Sequence, residues 1–153
     1  MMQKVLVTRK LPEPGIVLLQ KYLDVTMNPK DAPMGKDDIM RVIHDKQGLV
    51  CLLTDRIDKE VLDAAPDLKV IANYAVGYDN IDIQTATRRN ICVTNTPDVL
   101  TETTADLAWA LMLSLIRRIV EADKYMRDGL FRGWEPMLLL GDDICGKTLG
   151  IIG

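Results

Sequence analysis

The residues with the clearest chemical potential lie between Leu68 and Asp82, in the stretch Leu-Lys-Val-Ile-Ala-Asn-Tyr-Ala-Val-Gly-Tyr-Asp-Asn-Ile-Asp. Val70 to Ala72 is a β-rich apolar run. It ends at Gly77, a polar turn follows, and a helix is expected to open at about Asn80 or Ile81. In an open parallel sheet, ligands bind just beyond the carboxyl ends of the strands, and Gly77 would stand at such an end. Without a Cβ, glycine lets the backbone approach a ligand and accepts positive φ. The N–H groups of Val76 and Gly77 would then be free donors for a small anion such as a carboxylate, in the way backbone nests hold anions. The plainer reading is a tight strand-to-helix turn, in which glycine is an ordinary residue.

Other reactive side chains are sparse. His44 is the single histidine. It falls in a polar helix ahead of the cleft strands and reads as a surface residue, because a general acid must lie within hydrogen-bond reach of the atom it protonates. The three cysteines, Cys51, Cys92 and Cys145, are odd in number, far apart and without a C-x-x-C spacing. Cys51 and Cys92 fall in apolar strands, where cysteine behaves as a small hydrophobe. No disulfide and no metal site are expected, and the compartment is expected to be the reducing cytoplasm. Magnesium-dependent phospho-receiver chemistry needs clustered carboxylates after the first strand. This chain has Arg9, Lys10 and Leu11 there, and Asp55, after the third strand, has no acidic neighbour.

The elements that must position these groups follow from composition and pattern. The chain has 153 residues, 48% hydrophobic and 27% charged, enough for one domain, or one plus a piece. Its net charge of −3 comes from 19 basic and 22 acidic residues scattered along the chain. That spread argues against a nucleic-acid footprint and against a basic membrane-surface patch. Met1-Met2-Gln3-Lys4-Val5-Leu6 carries no signal-peptide core, and no apolar run is long enough to span a bilayer.

Strands are predicted at 4–8, 24–27, 48–54, 68–72 and 91–94. Helices are predicted at 16–23, 37–45, 59–65 (capped by Asp58) and 81–89. Apolar strands alternating with helical crossovers specify a doubly wound parallel sheet, here an α/β lobe of flavodoxin-like form. After Asn95-Thr-Pro97 the pattern changes to one long helix, with Thr103 as N-cap and Asp106 at the capping-box position. Leu107, Ala108, Leu111, Met112, Leu115, Ile116, Ile119 and Val120 give it an apolar face too wide for this lobe to cover. A second domain, a second subunit or both are expected to do so. Residues 130–141 are irregular, and 147–153 read as a β-type run that opens a further folded unit.

Three segments, Ile71–Asp82, Val93–Ala108 and Gly146–Gly153, in this order and spacing closely resemble the D-2-hydroxyacid dehydrogenases, and within them the glyoxylate/hydroxypyruvate reductases. The likeness runs over the whole chain but covers only about the first half of what such an enzyme contains. The resemblance implies a flavodoxin-like substrate-binding lobe at 1–98 and a long interdomain and dimerisation helix at 99–129. A loop at 130–142 and the first strand of a truncated Rossmann domain at 143–153 would follow. It implies that Val76 and Gly77 hold the substrate carboxylate through their backbone amides, and that Leu53 and Thr54 line the same cleft. Family members often have serine where this chain has Thr54. It further implies that Thr104 lies near the cofactor, and that Gly153 is the first glycine of the dinucleotide fingerprint. Trp134 matches a loop aromatic that reaches the partner subunit's site; packing on its own surface is the alternative for it.

The family's catalytic Arg, Glu and His match no position here. The resemblance therefore implies NAD or NADP chemistry on a small 2-oxo acid in a homodimeric complete enzyme, with this fragment inactive and binding no cofactor on its own. The alternative kept open is a free-standing flavodoxin-like binding or dimerisation module.

Overall fold

The computed structural model describes residues 2–152. Two compact units make up the chain, Met1–Val99 and Leu100–Gly153.

The first unit is built on five short parallel strands: β1 (Lys4–Val7), β2 (Asp24–Met27), β3 (Gly48–Cys51), β4 (Val70–Asn73) and β5 (Cys92–Thr94). Their order across the sheet is β2-β1-β3-β4-β5. Registers pair Val5 with Val25 and Gly48, Leu49 with Ile71, and Ile71 with Val93. This is the flavodoxin-like order, whose direction of winding reverses between β1 and β3. Side chains alternate across the sheet with period two. Leu6, Leu49, Cys51 and Ile71 pack on one face with Ile39 and Ile43 of α2 (Lys36–Ile43), Val61 and Leu62 of α3 (Lys59–Asp63) and Ala86 of α4 (Ile83–Arg88). Val5 and Val7 pack on the other with Ile16 of α1 (Glu13–Tyr22). Each fully buried aliphatic side chain contributes about 1.5–3 kcal/mol.

Several local boundaries differ from expectation for identifiable reasons. α1 begins three residues early, at Glu13, because Pro14 sits in its first turn, where a fixed φ and a missing N–H do no harm. β3 stops at Cys51 rather than Thr54, because the Leu52 N–H is taken out of the ladder by the Asp55 carboxylate (2.8 Å). α3 is capped by Asp58, which accepts from the Val61 N–H, as expected. α4 opens later than expected, behind Asp82, whose carboxylate accepts from Thr85 N (2.9 Å) and Thr85 Oγ1 (2.7 Å). Arg89 reaches across to the Leu62 and Ala65 carbonyls, and so closes the end of α3 as well as its own helix. Cys92, expected to behave as a buried hydrophobe, is exposed, because β5 is an edge strand with a neighbour on one side only.

The second unit corrects two expectations. The single helix expected over 99–129 is two: α5 (Thr101–Ile116) and α6 (Ile119–Arg127). Arg118 stands between them in the left-handed region, at φ 54°. In a continuing helix the Ile116 carbonyl would accept from residue 120. Here it accepts from the Asp142 N–H (3.1 Å). The Arg118 guanidinium meanwhile binds Glu121 (2.8 and 2.7 Å) and the Leu140 carbonyl (3.1 Å). A Cβ at position 141 would overlap the Ile116 carbonyl oxygen, so this docking of 140–142 against the helix end requires Gly141. α5 also starts at Thr101, with Leu100 at the N-cap and no side-chain cap. Thr103 is thus inside the helix rather than its cap; Glu102 places a carboxylate in the first turn, where the helix dipole favours it.

The strand expected at the start of 143–153 is not formed over the described residues 143–152. A parallel strand exists through its neighbours' hydrogen bonds, and none of the described strands pairs with this segment. None of the residues of α5 is buried. Leu107, Leu111 and Leu115, spaced four apart on one face, are 57%, 63% and 80% exposed.

Candidate functional site

The carboxyl edge of the sheet is held by a chain of buried polar groups. Asp55 is 3% exposed and accepts from Thr8 Oγ1 (2.5 Å) and Leu52 N (2.8 Å), which ties the end of β1 to the turn after β3 across the reversal point. Asn80 donates from Nδ2 to the Leu52 carbonyl (3.1 Å) and the Asp55 carbonyl (3.0 Å). Asn73, 2% exposed at the end of β4, donates to Asn80 Oδ1 (3.0 Å) and to the Gly77 carbonyl (2.8 Å). Cys51 donates its thiol to Asn73 Oδ1 (3.4 Å). Asn28 closes the far side by donating to the Thr8 and Ala32 carbonyls, both at 2.9 Å. Among the described residues no buried side-chain nitrogen or oxygen lacks a partner. A fully satisfied network of this kind rigidifies the loops it joins. Asp55, Asn73 and Asn80 were not singled out as site-building residues from sequence. For Asp55 and Asn73 the available signal was a short polar side chain at the end of an apolar strand run, which also describes ordinary turn residues; Asn80 carried no such signal.

This scaffold presents the loop 74–79. Val76 is 46% exposed and Gly77 is exposed. Three successive carbonyls of this loop are occupied: Ala75 O accepts from Thr96 N (2.9 Å), Val76 O from Asn95 Nδ2 (2.7 Å) and Gly77 O from Asn73 Nδ2 (2.8 Å). The Val76 and Gly77 N–H groups donate to no acceptor among the described residues. Gly77 does not have a positive φ, and a Cβ there would meet only Asp79 Oδ2, at 3.9 Å. Neither the turn nor the packing therefore requires a glycine at 77. The backbone at 77 is open to approach from outside.

Leu53, 68% exposed, and Thr54, also exposed, occupy the neighbouring loop at the same edge, held by the Asp55 N–H to Leu52 O bond (3.0 Å). The two loops run side by side, bridged at Ile57 and Ile81. Thr104 and Trp134 belong to the second unit. The Thr104 N–H donates to Leu100 O (2.8 Å) in the first turn of α5. Trp134 is 84% exposed and lines a hollow with Tyr125, Met126, Phe131 and Leu138. Gly153 lies outside the described residues.

A dinucleotide requires a strand, a glycine turn and a helix N-terminus to cradle its phosphates. The described residues 147–152 offer none of these, and Ile151 is 83% exposed, so they do not fit such a cofactor. Among the described residues no group of three or more His, Cys, Asp or Glu could hold a metal ion. None of their helices is long and apolar enough to cross a membrane.

Cys51 is fully buried, and burial together with the nearby Asp55 charge pushes its thiol from 9.0 up to about 12. Cys92 and Cys145 are exposed. A thiol reagent should therefore modify two cysteines in the folded chain and the third only after denaturation. The folded thiol holds its proton more tightly than the unfolded one, so unfolding releases a proton between pH 9.0 and about 12. Stability should accordingly be unaffected by this group below that window and fall as pH rises through it. Cys51→Ala should remove that part of the alkaline loss in urea titrations at pH 8 and 11; equal losses in both proteins would refute it.

The sequence and fold have known counterparts. The family model for the catalytic domain of the D-isomer specific 2-hydroxyacid dehydrogenases matches residues 5–134. The glyoxylate reductase of Thermococcus onnurineus is 48% identical over 157 residues, covering 100% of this chain and 47% of that protein. The crystal structure of a protein from Thermus thermophilus superposes with a TM-score of 0.82 at 44% identity, over 91% of this chain and 45% of that one. An NADPH-dependent glyoxylate/hydroxypyruvate reductase from Sinorhizobium meliloti, crystallised with NADP and malonate, gives a TM-score of 0.70 at 30% identity, over 84% of this chain and 39% of that one. The chain spans about half the length of the curated relatives it matches.

Proposed function

The chain belongs to the D-isomer specific 2-hydroxyacid dehydrogenase family, and from that premise we propose that its first 98 residues are the lobe that grips the carboxylate of a small 2-oxo acid. The protein's activity on this reading is NAD(P)H-dependent reduction of glyoxylate or hydroxypyruvate. The observation that carries it is the exposed loop after β4, where the Val76 and Gly77 amides donate to no acceptor among the described residues and nothing crowds the Gly77 backbone. Two backbone N–H groups directed at one carboxylate make charge-assisted hydrogen bonds, each stronger than a neutral pair. Leu53 and Thr54, on the adjoining loop, supply an apolar wall and a hydroxyl. The lobe thus binds and orients the acid; hydride and proton come from elsewhere in the protein. Thr104 and Gly153 serve the cofactor side, and Trp134 the partner's site.

The test is a titration of ¹⁵N-labelled chain with oxalate and with glyoxylate. The Val76 and Gly77 amide resonances should move first and furthest, downfield as hydrogen bonds form, with millimolar affinity. Saturating ligand with no movement at either amide would discard the reading.

The same proposal assigns the face of α5 to a homodimer. An apolar stripe of the kind formed by Leu107, Leu111 and Leu115 seldom remains open on a soluble monomer, and a second copy is the occupant that family membership favours. Sedimentation should show a dimer at micromolar concentration; a monodisperse monomer at ten times that concentration would remove this assignment. The compartment proposed is the cytoplasm, where Cys92 and Cys145 would remain reduced.

A further inference from the structure

Two peptide planes decide whether the Val76 and Gly77 N–H groups can hold an anion. In a trans peptide, the C=O of one residue and the N–H of the next point in opposite directions. Fixing the Ala75 carbonyl therefore aims the Val76 N–H, and fixing the Val76 carbonyl aims the Gly77 N–H. The first is fixed by the Thr96 backbone N–H at 2.9 Å, a bond independent of side-chain identity at 96 unless it is proline. The second is fixed by a side chain alone, Asn95 Nδ2 at 2.7 Å.

The second plane is also the one most able to turn over. Flipping the Val76–Gly77 peptide changes ψ of Val76 and φ of Gly77, and glycine accepts φ of either sign. The residue that opens the loop to a ligand thus also leaves the Gly77 N–H free to face the wrong way. Asn95 is half-buried, sits just beyond β5, and makes no other side-chain hydrogen bond among the described residues. Only a side chain that donates can hold a carbonyl, which the asparagine NH₂ does and a leucine of similar volume cannot. Asn73 is a different case, because it is buried and bonded to Asn80 as well as to the loop.

We propose that Asn95 is a positioning residue: its amide locks the Val76–Gly77 peptide so that the Gly77 N–H faces a small carboxylate. This rests on the reading of Val76 and Gly77 as carboxylate donors. Asn95 touches neither the acid nor the reacting atoms.

The test compares Asn95→Leu and Asn95→Ala with the unaltered chain, using residual dipolar couplings of the loop N–H vectors and titration with oxalate. In both variants the Gly77 N–H coupling should change while that of Val76 is retained. Oxalate affinity should fall about tenfold, as for loss of one charge-assisted bond. The thermal midpoint should stay within about 2 °C, since the bond is partly solvated. Unchanged oxalate affinity and an unchanged Gly77 coupling in the variants would overturn the proposal while leaving the carboxylate site standing. Couplings altered throughout β4 and β5 would also overturn it, showing a general loosening. If the unaltered chain fails to bind oxalate at all, the carboxylate reading fails and this proposal with it.

Discussion

Asp55→Ala should destabilise the first unit by about 2–4 kcal/mol, the largest effect expected of a single polar substitution in this chain. Asp55 is 3% exposed, and its carboxylate serves two donors, each just beyond the end of a different strand. Removing it leaves the Thr8 hydroxyl to fall back on the Val50 carbonyl, at 3.3 Å. The Leu52 N–H has no such alternative among the described residues. A buried donor left unpaired costs about 1–3 kcal/mol, and the Leu52 N–H is partly buried. The damage should also spread: Asn80 holds the backbone carbonyls of Leu52 and Asp55, so a loosened turn slackens the Asn80–Asn73–Gly77 connection. Asp55→Asn retains one acceptor oxygen and should lose roughly half as much. Urea unfolding monitored by far-ultraviolet dichroism measures both. A free energy for Asp55→Ala within about 0.5 kcal/mol of the unaltered chain, the range of an ordinary surface change, would show that the network is not structural.

The second large effect is on turnover. These 153 residues should oxidise NADPH in the presence of glyoxylate or hydroxypyruvate no faster than buffer. Reduction of a carbonyl needs a proton donor within hydrogen-bond reach of the oxygen, and the chain has one histidine. α2 runs antiparallel to the strands, so His44, at its C-terminal end, lies at the amino edge of the sheet; Gln47 just beyond it donates to Lys4 O (2.9 Å), at the start of β1. The Val76–Gly77 loop lies at the opposite edge. Four strand residues separate the edges, about 13 Å at the usual rise. No side-chain rotation spans that. His44 is exposed, as its sequence setting suggested. Turnover that survives purification away from any longer product, and is lost in His44→Gln, would reverse this conclusion.

The two outcomes are linked by one division of labour. Buried and half-buried polar groups join the carboxyl-edge loops to one another; on the proposed reading two backbone amides of those loops face the acid, and the groups that would move hydride and proton are not among them. Thermal or chemical loosening of the network should thus appear first as lost acid binding and only later as unfolding, because the loops depend on single side-chain bonds whereas the strands depend on whole ladders.

The succession of β-branched runs and amphipathic helices was enough to specify an α/β lobe with a parallel sheet, since only a helical crossover returns the chain to start a second parallel strand. It also placed Val76 and Gly77 beyond a strand's carboxyl end, because the apolar run through Ile71 marks the strand; the strand itself stops at Asn73, and both residues lie in the loop that follows. The helix cap at Asp58 was legible for the same reason, being set by residues three apart. What the sequence could not supply was any relation made across distance in the chain. That Asp55 joins Thr8 to Leu52, and that Asn95 holds the Val76 carbonyl, depends on which strands lie side by side. The break at Arg118 was hidden because its cause lies at residues 140–142, where Gly141 lets another segment take the carbonyl that a continuing helix would have used. The unformed strand at 147–152 follows the same rule: a strand's hydrogen bonds belong to its neighbours, so its own residues cannot determine that it forms.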